Sequence, residues 1–569
     1  MHTSFIKILF ILGLTPLQTI AQVNIKNAHK AVLNIFSYDK NGTLLKSGTA
    51  FFIDKDSNVA TSFDILKGAY KAEIIDSKGK KYNILRVLGA NSTTNLVKIS
   101  TDAPKNNNYF SISTDKLITN SKTKLIRYSS NRINELSDVT ITRVEDFNEY
   151  NYYETDAENN DKNLTCPLLD KQGQISAILQ FNVNKAAFHA CAIDAHFLNQ
   201  LSINGTSSLD IDLNAINIPK ALPSNIKEAL TYLYMYPTND SVNYKISLDD
   251  FILKYPNISD GYIKRAAYYA SQKMYEACEN DFKAAILKAS NDSIGISLDY
   301  THFSISNLIY QTILASNDTS VVYKDWTLTR AESEVQKAYN INHNTLYLLQ
   351  QAKIAYSQDN FDKAYHLAYK VCEDKNFATP ENYFFTAKCL ESFTNDSTSV
   401  LSLLDSCISA IPQPVSVNNA SYYLERAQRL IHSKLYRKAI FDYYEYEKII
   451  GPANLTADFY YIRQQLEMNA SMYQQALDDI RTAISISNKA LFYRIEEAFI
   501  LMRVGEFDDA INAAQAILIN EKNNVDCLKI LGISYGALGN KTKAIKYLQK
   551  AQSLGDNSVN PIIEQYEDQ

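Results

Sequence analysis

Leu531-Gly532-Ile533-Ser534-Tyr535-Gly536-Ala537-Leu538-Gly539, followed by Ala544 and Ala551, is the stretch that decides the fold of most of this 569-residue chain. Small residues at helical spacing around a glycine break let two helices joined by a tight turn approach closely. The same frame recurs upstream: Ala439, Ala476, Ala510 and Ala544 follow one another at intervals of 37, 34 and 34 residues. Tyr436, Tyr473 and Phe507 each stand three residues before one of these alanines, where an aromatic ring fills the gap between the helices of one hairpin. Phe361, Ala364 and Val371 fit the frame, and so do Tyr262, Ala266, Tyr269, Tyr275, Cys278, Phe282 and Ala285, with Cys278 in the small-residue slot. Between these the register slips: Ala331 and Ala338 read as a second helix after an inserted loop at 317–319, and 380–419 lacks the small residue. A repeat of this length is one supersecondary unit that buries its apolar face only against its neighbours. The pattern predicts about nine helical hairpins from about 222 to 558.

Composition bounds the rest. Lys plus Arg number 57 and Asp plus Glu 62, a formal charge of −5, too weak and too mixed to hold a nucleic acid by counterion release. With 46% hydrophobic and 21% charged residues, and only 16 Gly and 12 Pro, the chain is globular rather than fibrous or disordered. Its 39 Tyr and 24 Phe against the single Trp326 favour many half-buried surfaces, because tyrosine packs its ring and leaves its hydroxyl wet.

The repeat residues resemble the tetratricopeptide repeat, seen in Leu531-Gly532, Tyr535, Gly539, Ala544 and Ala551 and again in Ala498, Gly505, Phe507 and Ala510. The resemblance implies an all-α solenoid over 211–569 whose concave wall is built from the first helix of each hairpin. It puts Tyr461, Gln465 and Met468 from one repeat, and Phe492, Ile495, Phe499 and Met502 from the next, on that wall as partner-binding residues. Such a stripe suits an extended or helical segment held by packing, although the same side chains would also serve to pack adjacent repeats. The positions comparable to the clamp that holds a chain-terminal carboxylate in some members are Leu424 and Gln428, which disfavours that ligand.

The N-terminus reads as a secretory signal peptide over 1–21: Lys7, an apolar run from Ile8 to Leu17, and Thr19-Ile20-Ala21 before a cut ahead of Gln22. Its roughly ten apolar residues fall short of the ~20 that span a bilayer. The mature chain is expected without a transmembrane segment, in a periplasm or otherwise exported, and the end at Asp568-Gln569 leans toward the periplasm. Export permits disulfides. Cys166 and Cys191 are the candidate pair among seven cysteines. The chain has no CxxC, HExxH or Cys/His cluster, so neither a metal nor a cofactor is expected. Sequons such as Asn163-Leu164-Thr165 matter only in a glycosylating host.

From about 28 to 203, β-branched and aromatic runs such as Val32-Leu33-Asn34-Ile35-Phe36 alternate with polar turns, which predicts an all-β segment. Five blocks in it, in order, resemble the trypsin-like serine proteases, particularly the HtrA-type branch. They are Gly48-Thr49-Ala50-Phe51-Phe52-Ile53, Thr61 to Ala69, Asn95-Leu96-Val97-Lys98-Ile99, Pro167 to Asp170 with Gly173 and Ile175 to Ile178, and Ala192-Ile193. The resemblance implies a double-barrel domain over 22–210. It also puts Asp64 where that family has its general-base His, Asn95 where it has the orienting Asp, and Leu164 where it has the nucleophilic Ser. A Leu carries no hydroxyl to activate, and Thr165 and Cys166 replace the glycines that shape an oxyanion site. This is expected to be a pseudoprotease domain whose nucleophile loop has closed.

The combination predicts a non-enzymatic scaffold or adaptor of the bacterial cell envelope, whose partners are peptide or helix segments of other proteins. The barrel cleft is expected to offer a second, strand-binding surface. The alternative is a peptidase or protease-complex subunit with a relocated nucleophile, Thr165 or Cys166, served by His189 or His196.

Overall fold

The computed structural model describes residues 25–567 apart from 134, 148–149, 182–186, 237–240, 290–293, 317–322, 324 and 488–490. The signal-peptide reading therefore lies outside the described residues. Twelve strands come first: β1 (Val32–Tyr38), β2 (Leu44–Phe52), β3 (Val59–Ser62), β4 (Lys71–Ile75), β5 (Lys81–Asn91), β6 (Leu96–Thr101), β7 (Lys122–Arg127), β8 (Glu135–Phe147), β9 (Tyr150–Glu158), β10 (Pro167–Leu169), β11 (Ile175–Gln180) and β12 (His189–Asp194). They close into two antiparallel barrels with one strand order, β1-β2-β3-β6-β5-β4 and then β7-β8-β9-β12-β11-β10. This tandem of identical six-stranded barrels is the double-barrel trypsin-like architecture that the sequence blocks imply.

Alternation along each strand explains why the barrels fill. Leu33, Ile35, Ala50, Phe52, Val97 and Ile99 point into the first barrel, and Leu125, Val139, Ile141, Tyr153 and Leu168 into the second. The opposite face of the same strands makes a third core between the barrels, where Val32, Phe51, Ala60 and Leu96 meet Phe110, Ile126, Ile178 and Ile193. Strands β3 and β11, buried on both faces, are apolar or small apart from Gln180 at the end of β11 and show no alternation in sequence.

The chain forms two compact units, one reaching Thr301 and the other running from His302. Residues 211–301, which the sequence reading gave to the solenoid, fall in the barrel unit, and their described helices begin with Ile211–Asn214 and Ile226–Tyr234. Ile216, Ile218, Tyr232, Leu233, Leu248 and Phe251 extend the apolar core of the first barrel. The segment at Lys220 runs parallel beside β5, with Val87 N–H donating to Pro219 O at 2.8 Å. Elsewhere on β5, Gly89 is required by the close passage of another segment, since a Cβ there would lie 2.5 Å from the Leu201 backbone. Arg86 of β5 forks onto Asp250 with N–O distances of 2.7 and 2.9 Å.

From Ile226 to Glu567 nineteen helices follow among the described residues, consecutive ones packing as hairpins such as Ser259–Ser271 with Tyr275–Lys288 and Ala457–Asn469 with Tyr473–Ile486. The small residues Cys278, Ala364, Ala439, Ala476, Ala510 and Ala544 are all fully buried at the helix crossings. Five residues before each stands a left-handed residue that reverses the chain: Lys273, Asp359, Lys434, Ser471, Gly505 and Gly539. The hairpin turn demands a positive φ, which glycine adopts without strain and the other four adopt at some cost. Among the described residues no helix is long and apolar enough to cross a membrane.

Candidate functional site

Strand β3 ends at Ser62 and passes into one helical turn, Phe63–Leu66, that buries Phe63, Ile65 and Leu66 and leaves Asp64 exposed. Asn95 sits in the turn before β6 with φ of 52°, a conformation asparagine tolerates better than most residues. Its carboxamide oxygen accepts the Asp64 N–H at 2.9 Å and the Ser62 hydroxyl at 2.8 Å, and its carbonyl accepts the Phe63 N–H at 3.1 Å. Two of the three positions that the resemblance aligns with a catalytic triad are thus side by side. They line a cleft of about 790 Å³ between the barrels, with Lys46, Tyr152, Gln180 and Phe181 among its walls. Gln180 closes its floor by donating to the Thr94 carbonyl. The cleft carries the carboxylates of Asp64, Glu145 and Asp146 against the ammonium of Lys46. Burial, and then the adjacent Cys191, push the Tyr152 phenol upward, so it stays protonated and can donate.

Leu164 does not line this cleft. Its turn is tied to β11 and to itself: Thr165, at φ of 64°, donates its N–H to Leu179 O at 2.9 Å, and Cys166 donates to Asn163 O at 3.1 Å. The N–H groups of Thr165 and Cys166 are therefore both committed to protein carbonyls. The Thr165 hydroxyl is buried with no hydrogen-bond partner among the described residues. The Cys166 thiol is fully buried, 3.3 Å from Lys162 O and 3.7 Å from the Thr49 hydroxyl. Burial pushes it up to about 11, against the smaller opposing pulls of Thr49 and Arg127, which keeps it a thiol.

His189 is exposed at the start of β12, where it pairs with Glu158. His196 has its Nδ1 2.7 Å from Asp194 Oδ1, the same oxygen that accepts the His196 N–H at 3.0 Å and caps the turn Ala195–Asn199. This Asp194–His196 pair is a dyad that sequence reasoning missed, because it named the histidine without its carboxylate. Neither residue lines the cleft, and among the described residues neither the Thr165 hydroxyl nor the Cys166 thiol bonds to a histidine. The disulfide expected between Cys166 and Cys191 is corrected as well. All seven cysteines are free, with Cys166 packed in the second barrel's core and Cys191 bonded to Tyr152.

In the helical unit, Tyr461, Gln465 and Met468 lie on the helix Ala457–Asn469, and Phe492, Ile495, Phe499 and Met502 on Leu491–Val504, at spacings that put each set on one face. The Tyr461 and Phe492 rings meet at 5.4 Å and Gln465 donates to the Tyr461 hydroxyl at 2.8 Å. Phe492 and Phe499 remain 46% and 39% exposed. Ile495, Phe499 and Met502 are brought together in one cavity of about 290 Å³, completed by Glu496 and by Asp526, Lys529, Ile530 and Ile533 of the helix Val525–Ala537. Tyr461, Met468, Ile495 and Met502 also pack on the hairpin core, the packing role that the sequence left open for this stripe. The residues on the following helix were missed, since the hairpin frame says nothing of which side chains face a groove from the next repeat.

A second feature escaped sequence reading although its signal was present. Arg265–Asp281, Arg426–Asp442 and Arg463–Asp479 are bidentate pairs, each sixteen residues apart, at 2.6–3.0 Å. In each the Arg stands thirteen residues before the small-residue slot and the Asp three after it. They join the two helices of a hairpin from within.

No family model matches the chain, and neither does any curated protein. Among solved structures it is similar to the crystal structure of the serine endoprotease from Yersinia pestis, with 16% identity and a TM-score of 0.27 over 31% of this chain. The chain spans 62% of that protein's length. The class is given by the strand order itself: a trypsin-like double-barrel domain followed by an array of helical hairpins.

Proposed function

We propose that this protein is an exported, non-enzymatic scaffold of the tetratricopeptide type, which holds peptide or helix segments of cell-envelope proteins against the stripe from Tyr461 to Met502. The observation that carries this reading is the cavity of about 290 Å³ at the half-exposed Phe499, which joins Ile495, Phe499 and Met502 of the proposed groove to residues of the next helix. An apolar hollow flanked by exposed aromatic rings is a site that a partner side chain fills, removing apolar surface from water on both sides. The barrel domain on this reading is a pseudoprotease. Asp64, Asn95 and Leu164 offer no activated hydroxyl, and the amides of Thr165 and Cys166 are spent on internal carbonyls. Its cleft is left as a surface for an extended segment.

The test is a pull-down from bacterial envelope extract with the mature full chain and with the Phe499→Asp, Met502→Asp variant, whose helical content must match. A partner retained by the parent chain and lost from the variant is the expected result. A partner that survives both charges would refute the groove reading and move attention to the interbarrel cleft.

A further inference from the structure

Resting on that reading, we infer that the hollow between the helices Leu491–Val504 and Val525–Ala537 selects a partner segment carrying an apolar side chain next to a Lys or Arg. The floor is wholly apolar: Ile495, Phe499, Met502, Ile530 and Ile533. At about 290 Å³ it has the room of about ten waters, enough for one large side chain. The wall carries two carboxylates, Glu496 and Asp526, which form no ion pair among the described residues. Lys529, the remaining charged residue of the lining, is already engaged, with its ammonium 2.5 Å from the Ser558 hydroxyl and 3.4 Å from Asp556. Burial, and then repulsion from Asp526, push the Glu496 carboxyl upward, so the two acids repel one another across the hollow.

Filling this hollow with an aliphatic segment alone would take both carboxylates further from water with nothing to pair them, a cost that opposes binding. An anionic segment would add repulsion. A cation beside the apolar anchor relieves the crowding and turns desolvation into a paired contact. A metal ion is the poorer occupant, since among the described residues no group of three ligating side chains gathers anywhere. The committed occupant is therefore a peptide segment in which Leu, Ile, Met or Phe adjoins a basic residue.

The experiment is selection of a random dodecapeptide phage library on the immobilised full chain, in parallel on Glu496→Gln/Asp526→Asn and on Phe499→Asp, each checked for unchanged melting. Peptides selected on the parent chain should carry apolar-basic neighbours, and a synthetic selected peptide should bind about tenfold more weakly to the Glu496→Gln/Asp526→Asn variant. Loss of the basic preference on that variant, with the apolar preference kept, completes the expected pattern. Selected peptides without basic enrichment, or with enrichment unchanged by neutralising both acids, overturn the cation inference while leaving the groove standing. Selection that is indifferent to Phe499→Asp, or no selection above background, overturns the groove reading itself. A dimer in light scattering that Phe499→Asp dissolves would give the face to a second copy and overturn both.

Discussion

Glu467 is a wholly buried carboxyl in the hairpin Ala457–Asn469/Tyr473–Ile486, and its charge state should govern how the helical unit responds to pH. Arg463 is the one guanidinium of its cluster. It forks onto Asp479 at 2.6 and 2.7 Å and reaches Glu447 at 2.6 Å, so it is already matched by two carboxylates. Glu467 accepts the Tyr444 hydroxyl at 2.7 Å and, when protonated, shares its proton with Asp479. Burial first, and then the neighbouring Asp479, push Glu467 up to about 8, which makes it the group of the cluster that keeps a proton near neutrality. Because the folded value lies above the ordinary 4.5, the stabilisation is complete below that ordinary value and is lost as pH rises toward 8. At ~1.4 kcal/mol per pH unit the loss is at most on the order of 4 kcal/mol between pH 5 and 8. Glu467→Gln keeps the shape and removes the titration, so its advantage over the parent chain should grow with pH and reach its full size above about 8. The assay is urea unfolding of the helical circular-dichroism signal, together with amide exchange in these two helices, at pH 5.5, 7 and 8.5. Parallel pH profiles for parent and variant would mean that Glu467 is ionised in the fold, and the reasoning about the cluster would be wrong.

Two further outcomes follow from burial. Arg426→Leu strands the fully buried Asp442 without its bidentate partner and should destabilise the helical unit by about 3–5 kcal/mol, while adding Asp442→Leu should recover most of that, as read by urea midpoints. Equal loss in the single and double variants would contradict an internal ion pair as the cause. The seven free thiols are buried, and burial raises Cys166 to about 11 and Cys389, Cys407 and Cys527 to about 12. The native chain at pH 7.5 should therefore react slowly with a thiol reagent, and all seven should react in guanidinium. Rapid labelling of Cys166 in the native chain would revive the peptidase reading.

What could be read from sequence tracks how local the constraint is. The alanines at 34- and 37-residue spacing were legible because a helix crossing that tight admits no larger side chain, whichever repeat surrounds it. The hairpin turns were legible where Gly505 and Gly539 supply the left-handed residue, and hidden where Lys273, Asp359, Lys434 and Ser471 take the same backbone. The barrels were legible as blocks, yet β3 and β11 lost their alternation because the interbarrel core buries their second face. The cavity at Phe499 needed Asp526, Ile530 and Ile533 from the next hairpin, and the cleft needed residues some 115 positions apart, such as Asp64 and Gln180. Contacts of that range leave no periodic mark on either partner.

The geometry around Asn95 also shows how one residue fastens this wall of the cleft. Asn95 ties down Ser62, Phe63 and Asp64 through its own carbonyl and carboxamide oxygens, and an aspartate at this position could accept the same bonds. That anchor depends on neither residue 64 carrying an imidazole nor residue 164 carrying a hydroxyl. The turn at Leu164 is fastened independently, by the Thr165 and Cys166 amides and by Asn163, whose amide donates to Glu158 O at 2.8 Å and whose oxygen accepts from Arg127 at 2.8 Å. With the two halves of the site held by separate hydrogen-bond sets, either can drift without unfolding the other. Asp64 and Asn95 therefore keep their place in the cleft wall without help from the turn at Leu164, which does not line it.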